Sequence, residues 1–103
     1  MAKKILAGAY VEVNDEGYMI DSSVWNLDIA RAIAREEGVA LTEKHIQVLE
    51  HIRNKHLKGE ELTLRGIGKS GLVDIKGFYE LFPGAPMKKA SKIAGIPKPV
   101  SCV

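Results

Sequence analysis

Residues 42–59, TEKHIQVLEHIRNKHLKG, give the clearest indication of secondary structure in the chain. Thr42 is a residue type that caps helix N-termini, and Gly59 is one that ends helices. Between them, side chains recur at the spacing i, i+3, i+4, i+7 and i+11, at His45, Val48, Leu49, Ile52 and His56. This spacing predicts an amphipathic helix that packs one face on a core, with the two histidines at the border of that face.

Four further helices are predicted on either side of this one. They begin at residue types found at helix starts, which are Asn26, Thr63, Asp74 and Pro86. Gly38 ends the helix after Asn26, and Gly95 ends the last one. The helix after Asp74 is expected to bury one face, made of Ile75, Phe78, Tyr79 and Phe82, and Trp25 is expected to anchor the core as well.

The N-terminal segment has the pattern of short strands. Two β-prone runs, residues 4–7 and 10–13, flank Gly8-Ala9, and a turn at residues 14–17 leads to residues 18–20. The expected fold class is therefore α+β, with a three-stranded β-meander in residues 1–20 packed on about five short helices in residues 26–95. Residues 1–95 are expected to form a single globular domain, and residues 96–103 a mobile C-terminal arm.

Length and composition exclude several classes of protein. The 103 residues, 46% hydrophobic and 27% charged, fit one ordered domain. A single cysteine cannot form an internal disulfide, and the histidines have neither zinc-finger nor helical ligand spacing, so no metal is expected. No stretch is long and apolar enough for a membrane span, and the first residues do not resemble a signal peptide, so a cytoplasmic protein is expected.

The charge distribution argues against nucleic-acid binding without removing it as an alternative. The net charge is only +2, although residues 81–103 carry four lysines and no acid. Short helices in residues 42–81 could form a helix-turn-helix regulator, whose second helix would carry Arg65 and Lys69 between glycines. Gly66, Gly68 and Gly71 spell GxGxxG but lack the βαβ unit of a nucleotide site, so they are interpreted as loop glycines.

Cys102 is the residue with the most distinctive chemistry. It follows Pro97-Lys98-Pro99, which favours an extended, semi-rigid arm reaching about 20 Å from Gly95. An accessible thiol near cations can attack sulfur as its thiolate. A frayed tail with an accidental cysteine is the alternative from these residues alone.

Residues 82–103, FPGAPMKKASKIAGIPKPVSCV, resemble the C-terminal signature of the DsrC/TusE family of sulfur-carrier proteins. The shared features are the Phe82-Pro83 pair, the stretch at residues 92–95, the Pro-Lys-Pro run and the cysteine at the penultimate position. Upstream, DEGYMIDSSVW at residues 15–25 is similar to an earlier family landmark. The resemblance implies a β-meander packed on five helices with a mobile C-terminal arm, which agrees with the fold predicted above.

The resemblance also implies a function. Cys102 would carry sulfur as a persulfide between donor and acceptor proteins, as in the relay for tRNA 2-thiouridine formation, without any cofactor. Such a protein is a sulfurtransferase-type carrier that acts with partner enzymes. The alternative within the family is the gamma subunit of dissimilatory sulfite reductase, a branch that typically adds a second cysteine eleven residues earlier. Ser91 occupies that position here, which favours the relay.

Further residues acquire expected roles from the resemblance. Arm presentation and partner docking are assigned to Gly95, Pro97, Lys98, Pro99 and Lys92. The two lysines would also stabilise a thiolate or persulfide anion. Arg65 and Lys69 are expected to face the arm when it lies against the body.

Overall fold

The structure is a computed structural model that describes residues 2–98, with side chains from residue 3 onward. It has an α+β fold of two strands, one 3-10 helix and five α-helices, as predicted in outline. The elements are β1 (Ala2–Leu6), β2 (Ala9–Val13), the 3-10 helix Ser22–Val24, α1 (Leu27–Glu36), α2 (Glu43–Leu57), α3 (Leu64–Lys69), α4 (Ile75–Leu81) and α5 (Pro86–Ile93).

The two strands form an antiparallel hairpin with a two-residue loop. Leu6 pairs with Ala9, so the loop is Ala7-Gly8 and lies one residue before the predicted Gly8-Ala9. Both loop residues have positive φ, 53° at Ala7 and 80° at Gly8. This is the type I′ arrangement, whose twist matches that of paired strands.

The predicted third strand is wrong. Among residues 2–98, only one bridge forms beyond the hairpin, between Val13 and Met19. The Asn14 side chain accepts hydrogen bonds from two backbone N–H groups of the turn, which tightens it. Soon afterwards Asp21 caps the 3-10 helix by accepting from the backbone of Ser23. The segment between turn and cap is therefore too short for a strand, and the sheet has two strands.

The predicted helix N-caps are confirmed. A side-chain oxygen of each accepts from the backbone N–H three residues on, at Asn26, Thr42, Thr63 and Asp74. His45 completes a capping box with Thr42, and its Nε2 lies 2.7 Å from the carbonyl oxygen of Leu81. Its ring also meets the edge of Phe82. His45 is therefore a buried histidine with hydrogen bonds at both ring nitrogens, as its place on the apolar face predicted.

The apolar face predicted for α4 is only half correct. Phe78 and Phe82 are fully buried and meet edge to face at 5.6 Å, whereas Ile75 and Tyr79 are 43% and 42% exposed. Ile75 occupies the first position of this seven-residue helix and lies beside Gly68 of α3 at the surface. Tyr79 keeps its polar end towards water, as tyrosine commonly does.

Packing against the core continues through Ile96, one residue beyond Gly95. Ile96 is 1% exposed, and its backbone N–H donates to the carbonyl of Ser91. Pro97 and Lys98 are exposed. The Ile96 side chain can reach the core because Gly95, at φ 71°, ends α5 and redirects the chain. The body therefore includes Ile96, and the arm begins at Pro97.

Candidate functional site

Except for Arg65 and Lys69, the predicted site residues within the described chain lie at the C-terminal end of α5. Ser91 and Lys92 lie in its last turn, Gly95 ends it, and Pro97 and Lys98 follow. Cys102 and Pro99 lie outside the described residues. We call residues 94–98 the arm root, since they connect α5 to the segment that carries the thiol.

Ser91, where the family resemblance implies a second cysteine in one branch, faces the core. It has no exposed surface, and its hydroxyl oxygen has no hydrogen-bond partner within residues 2–98. Its backbone carbonyl does accept from Ile96. Position 91 therefore contacts the arm root through its backbone, while its side chain occupies an apolar environment.

Lys92 is attached to the body of the protein. Its Nζ lies 3.7 Å from Oε2 of Glu37 and 5.4 Å from the centroid of the Tyr18 ring. The Lys92 and Glu37 side chains are only 22% and 24% exposed. Partial burial weakens screening by salt, so this pair joins α5 to the end of α1 more firmly than a surface pair would.

Lys98 is tied to the turn that follows β2. Its Nζ lies 3.0 Å from Oε2 of Glu16, and both side chains are substantially exposed. The two residues are 82 positions apart in sequence. The ion pair places the last described residue of the arm root next to the turn at residues 14–17.

Arg53 and Trp25 donate hydrogen bonds to backbone carbonyls at the end of α5, contacts that the sequence did not predict. Arg53 donates from Nη1 to the carbonyl of Ala94 at 2.9 Å and from Nη2 to that of Ser22 at 3.1 Å. Its guanidinium carbon lies 4.3 Å from the centroid of the Trp25 ring. Trp25 donates from Nε1 to the carbonyl of Ile93 at 2.8 Å. Burial lowers the pKa of Arg53, which nevertheless stays protonated at neutral pH.

A cleft of about 480 Å³ opens beside the arm root. It runs between the end of α2 and the chain leaving α5, and its lining residues are His56, Gly59, Glu60, Glu61, Leu62, Pro97 and Lys98. Two carboxylates and one imidazole thus lie on the α2 side, opposite Lys98.

Arg65 and Lys69 both lie exposed on α3. Neither lines the cleft at the arm root. The strongest packing partner of α3 is α4. Their expected role of facing the arm stays a prediction.

The histidines do not assemble a metal site. Across residues 2–98 no group of three or more His, Cys, Asp or Glu side chains is arranged to hold an ion. His51 is distinctive because its buried Nε2 has no hydrogen-bond partner in that range. Burial, with a smaller contribution from Lys55, lowers its pKa. Nor is any helix of the described chain long and apolar enough to cross a membrane.

The sequence and the fold of the chain can be compared with those of known proteins. A family model described as DsrC like protein matches residues 5–103, which includes the whole arm. The chain belongs to the DsrC-like protein family. With this membership, the helix-turn-helix interpretation is no longer needed, and α3, with six residues of which two are glycine, is a poor recognition helix.

Curated relatives of this DsrC-like protein are sulfurtransferases by name. The chain is 37% identical over 107 residues to Sulfurtransferase TusE of Escherichia coli O6:H1, covering 96% of this chain and 98% of the relative. It is 36% identical over 104 residues to Sulfurtransferase TusE of Pectobacterium atrosepticum, covering 93% and 95%. These likenesses place the chain among sulfur-relay proteins.

Solved structures share the fold over nearly the whole chain. DsrC of Allochromatium vinosum superposes with a TM-score of 0.83 at 29% identity, covering 98% of this chain and 97% of that one. The oxidised gamma subunit of dissimilatory sulfite reductase from Archaeoglobus fulgidus gives 0.85 at 26% identity, covering 99% and 100%. The two-stranded hairpin packed on five helices is therefore the fold of this family.

Proposed function

We propose that this DsrC-like protein carries sulfur as a persulfide on Cys102 and delivers it to a partner protein. The observation that carries the proposal is that Cys102, the chain's one cysteine, follows an arm root that the body holds in place. Support comes from relatives named as sulfurtransferases, matched over nearly their full length. Carriage by an arm suits a protein that must present one reactive atom to two partners in turn.

The chemistry needs only thiols and persulfides. The thiolate of Cys102 attacks the outer sulfur of a donor persulfide, forming a bond between Sγ and that sulfur. The sulfur–sulfur bond of the donor breaks, and the donor leaves as a thiolate. The persulfide proton stays on the transferred sulfur, so no net oxidation or reduction occurs. An acceptor thiolate then repeats the exchange on the outer sulfur of the Cys102 persulfide.

Ser91 favours the relay over the sulfite-reductase branch of the family. A serine hydroxyl cannot bond to sulfur in the way a second thiol can, so one cysteine must both load and release the sulfur. We infer donor and acceptor proteins of a tRNA-thiolation relay as partners, and a cytoplasmic location for the reaction. The alternative partner, a dissimilatory sulfite reductase, is favoured by the TM-score of 0.85 to a gamma subunit of that enzyme.

The lysines and the arm prolines have supporting roles in this proposal. Lys98 lies at the start of the arm, where its charge is near the cleft and accessible to an acidic partner surface. Lys92 is held further back by Glu37. Prolines at positions 97 and 99 would favour an extended chain leading to the thiol. Arg65 and Lys69 would contact the arm in a retracted state, which charge removal at either residue would weaken.

The test is the intact mass of the protein after incubation with inorganic polysulfide. The expected result is a gain of sulfur that reduction removes, in the unaltered chain and in Ser101→Ala, but not in Cys102→Ala. Absence of sulfur gain in a folded chain with an accessible thiol would overturn the carrier function. Binding of the loaded protein to a dissimilatory sulfite reductase, and not to a tRNA-thiolating enzyme, would favour the alternative partner.

A further inference from the structure

We propose that Arg53 and Trp25 are positioning residues that fix the arm root in one orientation, so that Cys102 is presented from a defined point on the body. The inference rests on the carrier function proposed above. It assigns a role in sulfur delivery to two side chains that lie at least 49 positions before the thiol in sequence and belong to α2 and to the segment before α1.

The two side chains bind backbone carbonyls that the end of α5 leaves without helical partners. In a continuing helix, the carbonyl of Ile93 would accept from residue 97, but Pro97 has no N–H. Trp25 Nε1 donates to this carbonyl instead, at 2.8 Å. The next carbonyl, that of Ala94, accepts from Nη1 of Arg53 at 2.9 Å. Both side chains thus bind at the point where the chain leaves the helix.

Electrostatics strengthens the contact from Arg53. A cation at a helix C-terminus interacts favourably with the helix dipole, and hydrogen bonds from a charged donor are stronger than neutral ones. The guanidinium also covers the face of the Trp25 ring, at 4.3 Å from its centroid. Its second donor reaches the carbonyl of Ser22. Arg53 therefore joins α2, the 3-10 helix and the end of α5 in one arrangement.

Packing at Gly95 leaves the arm root little freedom to move sideways. A β-carbon built there would lie 2.4 Å from Cδ1 of Trp25 and 2.9 Å from Sδ of Met19. The Gly95 backbone thus packs closely against the indole. The direction in which Ile96 and Pro97 leave the body follows from the position of the indole, which Arg53 in turn holds.

A fixed arm root is expected to affect sulfur transfer from Cys102 to a docked acceptor protein more than the reaction of the Cys102 thiol with a small reagent. A thiol on a chain that starts from a fixed point and direction samples a smaller volume, which raises its effective concentration at a docked acceptor. A small reagent diffuses to the thiol wherever the arm lies. Loss of Arg53 or of the indole donor should therefore leave thiol reactivity unchanged while loosening the arm root.

The experiment is site-resolved amide hydrogen exchange in the full chain. Arg53→Ala and Trp25→Phe are compared with the unaltered protein and with Arg35→Ala, which removes an exposed arginine from α1. In the first two variants, exchange at Gly95 and Ile96 is expected to rise about tenfold, the change that corresponds to losing one hydrogen bond from a charged or buried donor. Exchange at Val48 in the core should stay the same, as should all these rates in Arg35→Ala.

A second readout follows the arm itself. A spin label on Cys102 and another on a cysteine introduced at exposed Glu50 of α2 report the distance distribution between arm and body. The distribution is expected to broaden in Arg53→Ala and Trp25→Phe but not in Arg35→Ala. Trp25→Phe keeps an aromatic ring in place while removing the indole donor, so it provides a folded variant if Arg53→Ala unfolds.

Two results would overturn the proposal. One is an unchanged distance distribution in folded variants, and the other is faster exchange at Val48 in parallel with Ile96, which would indicate a general structural role. Polysulfide loading of the same variants without spin labels, followed by intact mass, separates this inference from the carrier function. If Cys102 fails to load sulfur, the carrier function fails, while the exchange and distance data still decide whether Arg53 and Trp25 hold the arm root.

Discussion

Gly95 lies against the indole of Trp25 with no room for a side chain between them. A β-carbon at Gly95 would come within 2.4 Å of Cδ1, a separation that real β-carbons do not show. The φ angle of 71° at Gly95 also belongs to the left-handed region that favours glycine. Steric and conformational requirements for glycine therefore coincide at the point where α5 gives way to the arm root.

Gly95→Ala is expected to lower the free energy of unfolding by about 2–4 kcal/mol, combining left-handed strain with overpacking. Urea denaturation measures this. The matched control is Gly59→Ala, which has a φ of 73° but nothing within 4 Å of a β-carbon. It should lose only about 1 kcal/mol, from strain alone. Equal losses in the two variants would show that contact with Trp25 adds nothing.

Ser91→Ala is expected to stabilise the protein by about 1 kcal/mol. The hydroxyl is fully buried and lacks a partner within the described chain, so its removal relieves the penalty for an unsatisfied polar group. Thermal or urea unfolding measures the change. Ser70→Ala is the control, because the Ser70 hydroxyl donates to Ile67 and accepts from Leu72, and its loss should destabilise. A destabilised Ser91→Ala would mean that the hydroxyl has a partner after all.

Stability is expected to fall as the pH falls below the ordinary histidine pKa of 6.5, in part through His51. Burial lowers the pKa of this histidine below its ordinary value of 6.5. The unfolded chain therefore binds a proton at a higher pH than the folded chain does, so protonation favours unfolding in this window. Melting temperatures of the unaltered chain and His51→Gln, taken across the window, measure the effect.

His51→Gln should flatten the pH dependence, since glutamine does not titrate. His56→Gln serves as the comparison, because His56 lies nearby on the same helix at the edge of the cleft. Identical slopes for all three proteins would contradict the assignment to His51.

Glu16→Gln is expected to change the free energy of unfolding by less than about 1 kcal/mol, although it breaks the ion pair with Lys98. Both partners are substantially exposed, so water and salt screen their attraction. Glu37→Gln breaks the ion pair with Lys92, which is less exposed than the pair of Glu16 and Lys98, so it should lower the free energy of unfolding by more. Urea denaturation at low and high salt compares the two. A larger, salt-independent loss in Glu16→Gln would show that the pair is better shielded than its exposure indicates.

Local features of the sequence were predictable because they depend on neighbouring residues. A cap such as Thr42 or Asp74 satisfies an N–H three residues away, and glycines with positive φ end helices whatever the rest of the chain does. The prediction of a third strand was wrong because it considered only the local run of residues 18–20. Its short apolar run resembles a strand, but the Asn14 turn and the Asp21 cap leave room for only one bridge.

Tertiary contacts account for what the sequence did not reveal. Nothing local to Arg53 indicates that it binds the end of a helix 41 positions later. A weak signal existed, since Arg53 follows Ile52 and borders the apolar face of α2, where a charged residue needs a partner. Trp25 was predicted to be a core anchor, which describes its packing but not its donation to Ile93. The roles predicted for the residues at the end of α5 rested on the family resemblance and not on the local sequence.

Burial of Ile96 sets a limit on how deep an acceptor can lie. Cys102 lies six positions after Ile96, and a fully extended chain spans at most about 3.3–3.6 Å per residue, so the Cα atom of Cys102 stays within about 22 Å of that of Ile96. An acceptor thiol that lies deeper below its protein's surface than this reach cannot be contacted, unless the channel leading to it is wide enough to admit the helical body as well. The depth of a partner's channel therefore becomes a criterion for choosing among candidate acceptors.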